Sequence, residues 1–325
     1  MTQAIILPDR GLLRLGGPDA LSLLQGLVTA DLTTLADDRA VYTALLTPQG
    51  KYLFDFHVSL APAAGNGLAD RDGGGDKAGP SGVERSLLLE TAADRLPDLE
   101  RRLTLYRLRA AVTIEPVVPP PAVAMVFGGD APAVTDLPAS VGAMRHAQGL
   151  TFMVDPRLVE LGVRVYGPPE AVEAWRRHAG IATAEPAVFT RHRIALAVPA
   201  GGIDLVVDKS IMLEAGLDQL NAVAFDKGCF VGQELTARTH YRGLVKRRLV
   251  PLVLEDAVVE PGFAVMAGER EAGEIRSVAP GTALALLRLD RLGEPLSAGG
   301  GTVRPRPAPW QTDLVAQLGP TPPHD

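Results

Sequence analysis

The chain changes its pattern at Lys246. From there the apolar residues fall into short alternating stretches, 249–254, 263–266, 274–278 and 283–289, separated at short intervals by glycine and proline. Alternation of period two marks strands with one face turned to a core, and closely spaced turn residues join such strands antiparallel. Residues 246–325 are therefore predicted to form a small antiparallel barrel or sandwich. This requirement divides the chain, because residues 1–245 follow a different pattern.

In that first part strand and helix signals mix. Leu12, Leu13 and Leu15 predict a short strand. Gly16-Gly17-Pro18 turns the chain, and Asp19 is placed to cap a helix through Leu21, Leu23, Leu24 and Leu27. Residues 40–47 and 52–60 read as two strands joined by Thr47-Pro48-Gln49-Gly50-Lys51, a turn sequence that predicts a hairpin. A strand is predicted over 86–90, a helix through Leu96, Leu99, Leu103 and 105–108, and a strand over 110–115. After a proline break at 116–121 come short strands within 122–167, a helix introduced by Pro168-Pro169 through Val172 and Trp175, and a helical segment at 189–194. A helix or turn is predicted near 212–216 and a further helix from about Gly232. Residues 61–82 collapse into Ala, Gly, Asp and Pro. Such a segment cannot offset its ordering entropy and is predicted to be a mobile surface insertion, like the frayed end at 321–325.

Composition narrows the function. With 325 residues, of which 46% are hydrophobic and 22% charged, the chain can bury a substantial core, and its length suits two or three domains. The 32 basic and 38 acidic residues leave a net charge of −6, with no general basic field for nucleic acid or an anionic membrane. Residues 1–10 lack the basic and apolar regions of a signal peptide, and no apolar run is long enough to span a bilayer. The expectation is a cytoplasmic protein with no membrane and no specific nucleic-acid partner. A single cysteine, Cys229, excludes an intrachain disulfide and any metal site needing several thiolates from one copy. His57, His146, His178, His192, His240 and His324 show no metal-ligand spacing, and neither a dinucleotide fingerprint nor a phosphate loop is present. No tightly bound metal is expected.

The run richest in chemistry is Asp226-Lys227-Gly228-Cys229-Phe230-Val231-Gly232-Gln233-Glu234, followed by Ala237-Arg238. Gly228 and Gly232 let the backbone turn beside the cysteine. A helix start just after Cys229, together with Lys227, would favour the thiolate. The alternative is that a lone cysteine is a small buried hydrophobe.

The octet at 227–234 resembles the signature of the folate-binding YgfZ-type proteins. These are relatives of the aminomethyltransferase T-protein of the glycine cleavage system, and they support maturation of iron–sulfur enzymes. Further matches are Leu12, Arg14, Gly16, Asp19-Ala20, Leu24-Gln25-Gly26, 29–32, Tyr42, 45–51, Asp55, Tyr106, Leu108-Arg109, Val112, Arg191 and Met212-Leu213-Glu214, so that the resemblance spans most of 5–290.

The resemblance implies an α+β fold of T-protein type: domains around a central folate cavity and a C-terminal antiparallel β-barrel. Residues 1–245 would form the folate-binding region as two interleaved subdomains, and 246–325 the barrel. It implies tetrahydrofolate as cofactor and reduced folate, iron–sulfur assembly proteins or client iron–sulfur enzymes as partners. The implied site comprises Cys229 and Lys227, with Glu214, Gly228, Gly232, Gln233, Glu234 and Arg238 toward the cofactor. Glu214 is expected at the pterin because Leu213-Glu214-Ala215-Gly216 resembles a T-protein segment. The T-protein's catalytic aspartate has no clear counterpart in 88–93, and Asp98 is the residue that could be placed opposite it. Three functions stay open: an accessory protein for iron–sulfur enzymes, a folate-dependent aminomethyl or methyl transferase, and a scaffold without catalysis.

Overall fold

A computed structural model describes residues 1–62 and 86–318, so the expected insertion, from residue 63 on, and the frayed end lie outside the described residues. The chain forms two compact units, the first from 1–46, 54–184 and 221–231, the second from 47–53, 185–220 and 232–325.

The first unit holds two sheets. One has five strands in the order Val41–Leu46, Tyr52–Leu60, Leu87–Ala92, Arg10–Gly16 and Thr113–Pro116. The other has six, in the order Ala182–Thr183, Gln3–Ile6, Ala122–Phe127, Val163–Gly167, Leu150–Val154 and Met144–Ala147. Leu12 and Leu88 of the first sheet pack with Val123, Met153 and Tyr166 of the second, which places a shared core between their faces. The helix Pro169–His178 lies on the six-stranded sheet, with Val172 buried in its core and Trp175 edge-on to Phe152 at 5.0 Å between centroids. Helix Leu96–Arg107 takes Pro97 in its first turn, where no N–H is needed, and buries Leu99 and Leu103 one turn apart.

Local chemistry explains several shifts from expectation. The first helix is short, Ala20–Gln25, and stops at Gly26 rather than running through Leu27. Asp19 does not cap it: its carboxylate accepts the backbone N–H of Ala111 at 2.7 Å, which ties the helix start to a distant loop. The strand expected at 110–115 begins at Thr113, because the Ala110 N–H turns back to the Arg107 carbonyl at 2.8 Å. The strand expected at 86–90 runs Leu87–Ala92.

The second unit is built on a closed barrel in the order Arg247–Glu255, Thr282–Arg288, Arg270–Ala279, Ala264–Ala267, Leu296–Ala298 and Gly301–Pro305. Its core is aliphatic, with Val250, Leu252, Val265, Ile275, Leu287 and Val303 fully or almost fully buried. Bulges at Val265/Met266 and Ile275/Ser277 supply the bending that closure requires. At Gly273 a Cβ would come within 2.2 Å of the Leu286 carbonyl, so the close approach of these strands needs glycine. Helix Thr312–Leu318 places Leu314 in the barrel core. Helix Pro186–Ala195 carries buried Arg193, which donates to Asp204 at 2.6 Å and to Ser277 at 3.0 Å. The 47–51 turn closes as a hairpin, with the Thr47 N–H donating to Lys51 O at 2.8 Å. Of the two options near 212–216, the structure forms successive turns.

Candidate functional site

Cys229 is exposed. The loop bearing it is anchored on both sides of the thiol. Upstream, the Lys227 ammonium donates to three backbone carbonyls, Gln25 O at 2.7 Å, Val28 O at 2.6 Å and Ala30 O at 2.7 Å. Burial pulls that ammonium down to about 8, against the opposing pull of Asp31. Downstream, Phe230 is buried, with its ring 5.7 Å from Lys227 Nζ. Gly228 lies between clamp and thiol with φ +95° and open space around its Cα, so glycine serves the backbone conformation there rather than packing. Among the described residues no group of three or more His, Cys, Asp or Glu side chains could hold a metal ion.

The remainder of the octet leads into helix Gln233–Tyr241, capped by left-handed Gly232. Gln233 is half-buried, and Glu234 and Arg238 are exposed. Gly50 of the hairpin turn abuts the first turn of this helix: a Cβ there would lie 3.1 Å from Leu235 Cβ and 3.2 Å from Gly232 O.

Glu214 is buried and lines a cleft of about 520 Å³ in the second unit. The backbone N–H of Leu249 donates to the Glu214 carbonyl at 3.0 Å, which fixes the turn against the first barrel strand. Arg247 Nε donates to its carboxylate at 3.2 Å. Ile211, Leu244 and Leu286 give the cleft apolar walls, and Lys246, Arg276 and Arg288 share its charged lining with Glu271 and Glu274, Arg276 pairing with Glu274 at 3.1 Å. Asp98 lies in the first unit, in the first turn of helix Leu96–Arg107, half-exposed and accepting from Arg101 at 2.8 Å.

A charged cluster between the sheets of the first unit escaped the sequence reading. Glu90 accepts from Arg10, from Arg164 at 2.7 Å and from Tyr166 OH at 3.3 Å. Asp155 accepts from Arg164 Nε and Arg157 Nε, each at 2.9 Å, and Tyr42 OH donates to Asp55 at 2.8 Å. His57 sits between the two acids, Nδ1 2.9 Å from Glu90 Oε2 and Nε2 3.5 Å from Asp155 Oδ2, without hydrogen-bond alignment on either side. Burial pushes both Glu90 and Asp155 upward, yet the arginines outweigh it. Arg10 and Arg164 hold Glu90, and Arg157 and Arg164 hold Asp155, well below the usual carboxylate range. The sequence did carry a signal: Glu90 follows three leucines, Arg164 lies between two valines, and Asp55 and His57 share one face of a strand that is otherwise mostly apolar. Charges at inward positions of apolar strands mark a buried polar network.

Two sheets on a common core and a closed antiparallel barrel place the chain among T-protein-like folds. It is similar to the glycine cleavage system aminomethyltransferase T from Bartonella henselae, with a TM-score of 0.72, 15% identity and coverage of 93% of this chain and 84% of that one. At this identity the likeness is one of fold. The family model for the CAF17 C-terminal beta-barrel domain matches residues 246–313. The mouse iron–sulfur cluster assembly factor IBA57 is 30% identical over 305 residues, covering 89% of this chain and 78% of that protein. The human IBA57 factor is 30% identical over 313 residues with the same coverages. The Mycosarcoma maydis homolog is 32% identical over 252 residues, covering 75% of this chain and 55% of its own length. The chain belongs to the IBA57 family. It spans about half the length of the fungal relatives. The cytoplasmic expectation is corrected by the same comparison, since these relatives are designated mitochondrial.

Proposed function

We propose that this protein works in iron–sulfur cluster assembly, with the cluster as its cargo and Cys229 as the thiol that meets it. The membership in the IBA57 family carries this reading, and the exposure of Cys229 supports it. A thiolate is a ligand for cluster iron, and one thiol supplies a quarter of the usual four-thiolate shell. The other ligands therefore come from an assembly protein, a client enzyme, a second copy or glutathione. Cys229→Ser keeps the size of the side chain but removes the soft ligand. In cells lacking the native protein, the serine variant is expected to accumulate folded yet fail to restore iron–sulfur enzyme activity. Full rescue would overturn the role of the thiol.

Reduced folate is the second part of the proposal. The Glu214 cleft offers a carboxylate for the N–H donors of a pterin, apolar walls for its flat ring and cations for a glutamate tail. Titration calorimetry with tetrahydrofolate should give heat of binding for the wild-type protein and a large loss of affinity for Glu214→Ala. No heat at millimolar folate would remove folate from the proposal. Asp98, half-exposed and paired with Arg101, lends no support to aminomethyl transfer.

A further inference from the structure

Two physical readings of Lys227 can be separated. In the first, the lysine is a positive charge near Cys229, and any cation at that position would serve. In the second, the shape of the ammonium matters. An ammonium has three N–H donors, and here three carbonyls at 2.6 to 2.7 Å receive them. Those carbonyls belong to the end of helix Ala20–Gln25 and the backbone that follows, about 200 residues away in sequence. The cradle thus joins the loop of Cys229 to a segment with which it shares no secondary structure. Phe230 makes the second anchor and Gly228 the turn, leaving Cys229 exposed between two fixed points.

We infer that Lys227 is a positioning residue: by filling the three-carbonyl cradle it fixes the loop that presents Cys229, and so sets where the thiol meets its iron–sulfur partner. This rests on the proposed role of Cys229.

Two variants of the full chain test it. Lys227→Arg keeps the charge, but a planar guanidinium cannot converge on three carbonyls through one nitrogen. Lys227→Met keeps length and contact with Phe230 but has no donors. Both are expected to melt within about 5 °C of wild type. In both, amide exchange across 226–231 should rise about tenfold, since exchange reports local opening. Iron–sulfur enzyme activity should fall about tenfold, as a displaced reacting group loses its productive geometry. Lys227→Arg with wild-type activity and exchange would overturn the inference, as would Lys227→Met with an unchanged loop. If either variant fails to fold, Lys227→Ala is measured with and without ethylammonium. Slower loop exchange on adding the amine supports the cradle, and no change overturns it. Full activity of Cys229→Ser would instead sink the role of the thiol, leaving loop exchange to decide the clamp separately.

Discussion

The two sheets of the first unit and the barrel of the second differ in what is buried at their centres. Between the sheets of the first unit lie three arginines, two acids that bridge them, a histidine and a tyrosine–aspartate pair, while the barrel of the second unit is filled with Val, Leu, Ile and Ala. An aliphatic core gains from burial and tolerates volume-conserving exchange. A buried charge network gains little net stability over an apolar core of the same shape, yet it is sensitive to the loss of any member. The first unit should thus be brittle toward changes of charge, and the barrel toward changes of volume.

Acid should separate the units most. Glu90 and Asp155 have folded values far below their unfolded ones, near 4. The unfolded chain therefore binds more protons as pH falls, and the stability these groups contribute is present above about pH 4 and lost below it as pH descends through the folded values. Hydrogen exchange resolved by segment should show strands Tyr52–Leu60 and Leu87–Ala92 losing protection at a higher pH than barrel strands Arg247–Glu255 and Thr282–Arg288. Simultaneous loss would break the comparison.

Next in size is Glu90→Gln, which leaves Arg10 and Arg164 without their shared carboxylate. Breaking a buried pair from one side costs about 3–5 kcal/mol, to be read from urea unfolding. A loss under about 1 kcal/mol would mean that water replaces the acid. In the barrel, Leu287→Ala removes a fully buried side chain and should cost about 2–5 kcal/mol, with no dependence on pH between 4 and 8. A pH-dependent cost would show that the barrel also leans on charge. The smallest effect is expected at Asp98→Ala, a half-exposed partner of Arg101, at under about 0.5 kcal/mol and with no loss of cluster-assembly activity. Loss of activity in a folded Asp98→Ala protein would revive the transferase reading.

What could be read in the chain alone was local. Alternation after Lys246 required antiparallel strands, Thr47-Pro48-Gln49-Gly50-Lys51 required a tight turn, and prolines at 168 and 169 located a helix start. Each signal depends on residues a few positions apart, where backbone dihedrals and side-chain periodicity decide the outcome. The cysteine octet was conspicuous for the same reason, as glycines and polar residues are crowded around one thiol.

Tertiary structure decided the partners. Lys227 and Cys229 are two positions apart, which suggested a charge beside a thiol, yet the ammonium is spent on carbonyls 197 to 202 residues away. Asp19 stands where a helix cap belongs and serves a backbone N–H 92 residues on. Glu90 joins strands carrying Arg10 and Arg164, separated from it by 80 and 74 residues. A side chain's periodicity fixes which way it faces, but the group it meets depends on how distant strands are brought together. For a charge taken out of water, that choice of partner decides whether its burial is tolerated at all.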